Sequence, residues 1–229
     1  MKFFQDSVFF GVVLTIAVFE LGLWLKKKFK TPLLNPLLIS IILIIVILLV
    51  SGMKYETYEA GAKYISYLLT PATVALAVPL YEQIESLKKN WKAILLGILS
   101  GALTSAICVL TLSVLYGLSH TQYVTLLPKS ITTAIGMGVS EELGGIVTIS
   151  VAVIIVTGVF GNMIAETVCK VFRITEPVAK GIGIGSASHA IGTAKAMELG
   201  QVEGAMSSLS IAVSGVITVV IANLFAMVY

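Results

Sequence analysis

The stretch KGIGIGSASHAIGTAKAMELG, residues 180–200, lies between two apolar segments and is itself rich in glycine, serine, threonine and alanine. It also carries one histidine, two lysines and one glutamate, side chains that are costly to place in hydrocarbon. A helix interrupted in this way persists at membrane depth only where it is buried in protein or lines a wet cavity. The stretch therefore predicts a broken helix inside a larger helical membrane bundle.

The composition of the whole chain agrees with a membrane location. Of its 229 residues, 57% are hydrophobic and only 12% are charged, about half of the ~25% typical of soluble domains. The net charge of +3 comes from short basic loops, which indicate membrane topology and not a nucleic-acid surface. Cys108 and Cys169 show no disulfide or metal spacing, so we expect free thiols, no metal and no cofactor.

Six segments are apolar and long enough to cross the hydrocarbon core, which takes about 20 helical residues. They are 8–25, 31–53, 62–80, 93–117, 143–165 and 204–229. Segments 123–140 and 179–199 are ambiguous because each contains a lysine and helix-breaking residues. We predict an all-α polytopic membrane protein with about seven or eight membrane segments, some broken or re-entrant, in one integral membrane domain, 1–229.

The positions of the basic residues bear on segment 123–140. Lysines follow the first and third apolar segments, and both loops are cytoplasmic if the N terminus lies outside. With that orientation, a re-entrant hairpin over 123–140 places three later basic residues, Lys170, Arg173 and Lys180, in the cytoplasm. A full crossing by 123–140 places them outside the cell. The charge rule therefore favours re-entry.

A weak similarity between two parts of the chain also favours a re-entrant hairpin over 123–140. PATVALAVPLYEQ, residues 71–83, resembles SASHAIGTAKAME, residues 186–198, and an apolar segment follows each. With a hairpin between them the two blocks would run in opposite directions, as in the inverted repeats of transporters, with halves of about 1–117 and 118–229. Because the matching residues are mostly small, chance similarity is the alternative.

Three stretches combine helix breakers with polar groups: 68–81 with Pro71 and Pro79, 125–145 (TLLPKSITTAIGMGVSEELGG), and 180–200. A broken helix exposes N–H groups at its positive end, hydroxyls add neutral donors and a lysine adds a charge, a combination that suits a small carboxylate. The candidate substrate-binding residues are Lys129, Ser130, Thr132, Thr133, Ser186, Ser188, His189, Gly192, Thr193, Lys195 and Thr73.

Some of these side chains have simpler interpretations. His189 is a proton-relay candidate, since an unperturbed histidine titrates near pH ~6.5, but a histidine hydrogen-bonded between helices is the alternative. Lys129 and Lys195 are long enough to reach an interface instead. Glu166 precedes Lys170 by one helical turn, so we expect a structural ion pair.

At these residues the sequence resembles a known family. PATVALAVPLY, LLPKSITTAIGMGVSEELGG and GSASHAIGTAKAMELG are similar to stretches typical of the LrgB/CidB family of bacterial inner-membrane proteins. LLPKSITTA and ASHAIGTAKA are more similar to the CidB branch. The resemblance extends from about Pro36 to the C terminus. It implies a multi-pass protein of the bacterial cytoplasmic membrane that works with a small LrgA/CidA-type membrane partner.

The family has two functional descriptions, and the resemblance implies both. One is holin- or antiholin-like control of murein hydrolase activity and lysis; the other is transport of small monocarboxylates such as pyruvate, or glycolate in a plastid relative. A pore-forming holin needs little beyond apolar helices, whereas two polar clusters suit a solute site. We predict a monocarboxylate transporter that is not an enzyme, binds no nucleic acid and forms a homo-oligomer in the bilayer; the antiholin-like regulator is the alternative and a membrane scaffold the third.

Overall fold

The computed structural model describes residues 9–29, 34–75 and 77–229, except for the side chains of residues 69, 70, 73, 79, 80, 86 and 87. All regular secondary structure in these residues is helical, which confirms the all-α prediction. The helices are α1 Phe10–Phe29, α2 Pro36–Ser51, α3 Tyr55–Ser66, α4 Leu69–Ala75, α5 Ala77–Glu82, α6 Ile84–Tyr116, α7 His120–Leu126, α8 Thr133–Glu142, α9 Val147–Val171, α10 Pro177–Leu199 and α11 Gln201–Ala226.

Among the described residues, three helical stretches are long and apolar enough to cross a membrane: Lys88–Tyr116 within α6, α9, and α11. Helix α2 is as apolar but has 16 residues, fewer than the ~20 that span the hydrocarbon core. These helices establish a helical membrane protein. The count of seven or eight segments and the inverted repeat stay predictions.

The first of two compact units comprises Met1–Ala75. In this unit α1 packs on α2 and α3, and Thr15 Oγ1 lies 2.8 Å from the Tyr58 hydroxyl. Helix α2 begins where Asn35 Oδ1 accepts a hydrogen bond of 2.9 Å from the backbone N–H of Leu37. It ends at Gly52, whose φ of 64° is readily adopted only by glycine.

The prediction of one continuous span over 62–80 is wrong. Helix α3 ends at Ser66, residues 67 and 68 form a turn, and a new helix begins at Leu69; α4 and α5 are the described helical residues on either side of Leu76, which lies outside the described residues. Pro71 is the third residue of α4. A proline is tolerated in the first turn of a helix, where its missing N–H has no intrahelical partner, but it disrupts a helix interior.

The second unit comprises Leu76–Tyr229, and in it α10 packs against α6, α9 and α11. Glycines bring these helices close together. A Cβ added at Gly101 of α6 would lie 3.0 Å from Ser186 Oγ, and one at Gly185 of α10 would lie 2.8 Å from Ser207 Cα of α11. In lipid the hydrophobic effect does not drive helices together. Small residues of this kind let the helix backbones approach closely, so that van der Waals packing stabilises their association.

Segment 123–140 folds back on itself as two short helices, α7 and α8. Ser150 Oγ of α9 lies 2.8 Å from the carbonyl oxygen of Thr125 and 2.7 Å from Ser140 Oγ. Closer to the turn, a Cβ at Gly136 would lie 3.5 Å from the carbonyl oxygen of Pro128. These nested contacts describe a hairpin. Helices of 7 and 10 residues rise only about 10 and 15 Å, so neither crosses a bilayer alone; its re-entry from one side stays a prediction.

Candidate functional site

Helix α10 is interrupted inside the stretch for which the sequence predicts a break. His189 has φ 43° and ψ −142°, while the residues on either side continue as helix. This backbone region strongly favours glycine, so a histidine there is strained unless its surroundings hold it. The histidine ring is 2% exposed. The break therefore lies in the interior of the second unit.

Contacts with α9 hold this kink in place. His189 Nε2 lies 3.0 Å from the carbonyl oxygen of Ile154, so in the matching tautomer it donates a hydrogen bond. Asn162 Nδ2 donates to the carbonyl oxygen of Ile191 at 2.7 Å. A Cβ at Gly158 would lie 2.7 Å from His189 Cε1, so the close approach requires glycine. The geometry matches the alternative of a histidine hydrogen-bonded between helices, and the proton-relay role stays a prediction.

A separate polar cluster surrounds Lys129 at the turn between α7 and α8. Lys129 Nζ donates to Ser130 Oγ at 2.9 Å, and Ser130 Oγ lies 3.2 Å from Ser105 Oγ of α6. Ser130 is buried and Lys129 is half-buried. Among the ion pairs of the described residues, none includes Lys129. An ammonium group that contacts a serine hydroxyl and no carboxylate is suited to bind an anion.

A small cavity adjoins this cluster. It measures about 10 Å³ and its polar lining consists of Ser105, Ser130, Ser186 and Thr218. The structure thus brings together Ser130 of the 125–145 stretch and Ser186 of the 180–200 stretch. A cavity of this size holds about one water molecule. A carboxylate the size of pyruvate is larger than this cavity and does not fit it in this conformation.

Other predicted residues lie in helix contacts and not at the cavity. Thr193 Oγ1 donates to the carbonyl oxygen of His189 at 3.0 Å and lies 2.7 Å from Ser207 Oγ of α11. Ser188 faces Gly161 of α9, and Gly192 packs against the Ser188 side chain. Thr132 and Thr133 form the N-terminal end of α8 and are partly buried.

Lys195 lies in an ion-pair network away from the cavity. Its Nζ is 3.2 Å from Glu166 Oε2 and 3.2 Å from Glu198 Oε2. The expected pair of Lys170 and Glu166 is present at 2.8 Å. Lys195 is therefore already neutralised by carboxylates, unlike Lys129, and its substrate-binding role is only a prediction. The side chain of Thr73 lies outside the described residues.

The sequence interpretation missed a buried polar face on α11. Glu203, Ser207, Ser210 and Ser214 are 7%, 0%, 0% and 2% exposed. Their spacing of three or four residues, continued by Thr218, places them on one side of the helix. That periodicity was the available signal, but the segment reads as apolar when only charges are counted. Among the described residues no group of three or more histidine, cysteine or acidic side chains could hold a metal ion.

A bundle of membrane-length helices with polar groups buried between them defines a helical integral membrane protein. The model of the LrgB-like family matches residues 15–228, and the chain belongs to this family. The Antiholin-like protein LrgB of Bacillus cereus strain B4264 and that of Bacillus anthracis strain CDC 684 / NRRL 3495 are each 39% identical over 218 residues, 95% of this chain and 95% of each relative. No solved structure matches significantly. The closer similarity to the CidB branch stays a prediction.

Proposed function

We propose that the second unit binds a small monocarboxylate, such as pyruvate or glycolate, and moves it across the membrane without catalysing a reaction on it. The observation that supports this proposal is Lys129, a half-buried ammonium on Ser130 Oγ with no ion pair to a carboxylate among the described residues. An unneutralised cation inside a membrane bundle is costly, and such groups commonly mark solute or ion pathways.

The cavity beside Ser130 suggests how the site would work. Hydroxyls from α6, the α7–α8 turn, α10 and α11 meet there. A ligand carboxylate could replace the Ser130 contact of Lys129 and accept hydrogen bonds from the serines. Because the cavity now holds only about one water molecule, binding would require an opening motion, which suits a carrier that alternates between closed and open forms.

The test is uptake of radiolabelled pyruvate or glycolate into proteoliposomes that contain the purified full chain, with and without an LrgA/CidA-type partner. We expect saturable uptake that Ser130→Ala abolishes without loss of folded protein. Ser100→Ala is the matched control, because that exposed hydroxyl donates to the carbonyl oxygen of Gly97 in its own helix. No uptake by the wild type under either condition would exclude the proposal.

The comparisons give more direct support to a second candidate function. Each relative named above is called an antiholin-like protein and shares 39% identity across 95% of this chain. In this proposal the chain is a multi-pass protein of the bacterial cytoplasmic membrane and assembles with a small LrgA/CidA-type partner. Together they would restrain murein hydrolase activity and lysis.

The two candidates differ in their response to the same substitution. If the chain acts only through assembly, Ser130→Ala should leave lysis control in cells unchanged, because Ser130 is buried and offers no surface to a partner. If lysis control follows carboxylate transport, Ser130→Ala should change both. A lysis assay on cells with this variant, compared with Ser100→Ala, distinguishes the two.

A further inference from the structure

We propose that a groove between α9 and α10 binds an anionic phospholipid, with the phosphate next to Arg173 and Lys180 and an acyl chain along the apolar walls of the two helices. This α9–α10 groove consists of two adjoining cavities that share Cys169, Ile174 and Lys180 in their linings. The proposal is independent of the solute site at Ser130.

The head region of the groove carries surplus positive charge. This open cavity of about 500 Å³ is lined by three cations, Lys170, Arg173 and Lys180, and one carboxylate, Glu166. Glu166 is already paired with Lys170 at 2.8 Å and with Lys195 at 3.2 Å.

The other two cations, Arg173 and Lys180, have little or no neutralisation by carboxylates. Among the described residues Arg173 forms no ion pair, and the carboxylate paired with Lys180 is Glu203, at 3.9 Å. Two cations are therefore available to a phosphate. A phosphate diester gives them the negative charge that the protein does not supply.

The tail region of the groove is apolar. Its cavity of about 240 Å³ runs between α9 and α10, and its walls include Ile164, Ala165, Val168, Ala179, Ile184 and Ala187. The space beside Gly183 is open, because a Cβ added there would meet no atom within 4 Å. Helix α9 is apolar and long enough to cross a membrane, so a groove along it lies where acyl chains are the surrounding solvent.

Charge and shape together favour a lipid over a soluble anion. A free phosphate could contact the cations but would leave the adjoining apolar cavity empty. A zwitterionic lipid could fill that cavity but would bring its own positive charge to Arg173 and Lys180. Basic pockets between membrane helices on the cytoplasmic side are typical sites for anionic head groups.

The test is lipid binding to the full chain in detergent, followed by native mass spectrometry during titration with phosphatidylglycerol or with phosphatidylcholine of the same acyl chains. We expect the first phosphatidylglycerol to bind more tightly, by about fivefold for each of the two cations. Equal affinities for the two lipids would overturn the proposal. Displacement of phosphatidylglycerol by millimolar inorganic phosphate would also overturn it, because the site would then belong to a free anion.

Two sets of variants separate head-group from acyl-chain binding. Arg173→Asn with Lys180→Gln should remove the preference for phosphatidylglycerol; asparagine tolerates the φ of 54° at position 173. Gly183→Leu should fill the tail region and weaken binding of both lipids. Lys88→Gln and Gly138→Leu are the matched controls, an exposed lysine and an exposed helical glycine outside the groove. If the two control variants lost as much lipid binding as the groove variants, the proposal would be overturned.

Discussion

The imidazole Nε2 of His189 lies 3.0 Å from the carbonyl oxygen of Ile154, and this contact joins the kink of α10 to the N-terminal half of α9. The residue with the non-helical backbone is thus also the residue whose side chain fixes the break. Gly158 allows the approach, since any side chain there would meet the ring. Backbone strain, a buried hydrogen bond and close helix packing therefore depend on one another at this position.

The first prediction concerns the strain at His189. In an ordinary helix interior, alanine is more stable than glycine by about 1 kcal/mol. At φ 43° and ψ −142° the order should reverse, because glycine adopts this region without steric conflict. We expect His189→Gly to exceed His189→Ala by about 1 kcal/mol in the free energy of unfolding. Chemical denaturation in detergent micelles measures this difference in the free energy of unfolding. A more stable alanine variant would mean that α10 is not kinked at this residue.

The second prediction concerns the glycine face of α9. A Cβ at Gly161 would overlap the Ser188 side chain. Gly161→Ala should therefore force α9 and α10 apart and reduce stability by roughly 1–3 kcal/mol. Gly138→Ala is the matched control, since a Cβ there meets open space and should be neutral or stabilising. Thermal unfolding of the two purified variants checks the contrast, and equal melting temperatures would contradict the close packing.

The third prediction concerns the hydroxyl pair between α10 and α11. Thr193 Oγ1 and Ser207 Oγ are 2.7 Å apart, and both residues are fully buried. A double-mutant cycle with Thr193→Val and Ser207→Ala should give a coupling of about 0.6 kcal/mol, the average for hydrogen bonds inside membrane proteins. Ser210→Ala serves as the control partner, because Ser210 Oγ donates to the carbonyl oxygen of Met206 in its own helix. Its coupling to Thr193 should be near zero.

The sequence predicted the helical class and the interruption of α10, because both follow from local composition. A run of glycine, serine and histidine cannot remain a regular lipid-facing helix. The predicted span over 62–80 is divided where α3 ends at Ser66 and α4 begins at Leu69, two residues before Pro71. The hydropathy count behind that span treats a proline as one more residue, whereas the helix breakers in 68–81 indicated an interruption.

The site residues show what sequence alone does not determine. Lys129 and Lys195 look alike in the sequence, since each lies within two residues of a hydroxyl side chain in a broken stretch. They differ because α9 places Glu166 opposite Lys195, 3.2 Å away, whereas Lys129 Nζ contacts the hydroxyl of Ser130. The choice between a neutralised and an available cation depends on which helices become neighbours, and that is a property of the tertiary structure.

Kinetics of carboxylate uptake by Lys129→Gln most directly test whether the second unit binds a small anion at the Lys129 cluster. The measurement is the initial rate of radiolabelled pyruvate or glycolate uptake into proteoliposomes, over a range of substrate concentrations, for the wild type, Lys129→Gln and the control Lys88→Gln. Loss of one charged hydrogen bond costs about 1.5–3 kcal/mol. We therefore predict that Lys129→Gln lowers kcat/KM by roughly 10- to 100-fold, while Lys88→Gln matches the wild type. Unchanged uptake by Lys129→Gln would contradict the account.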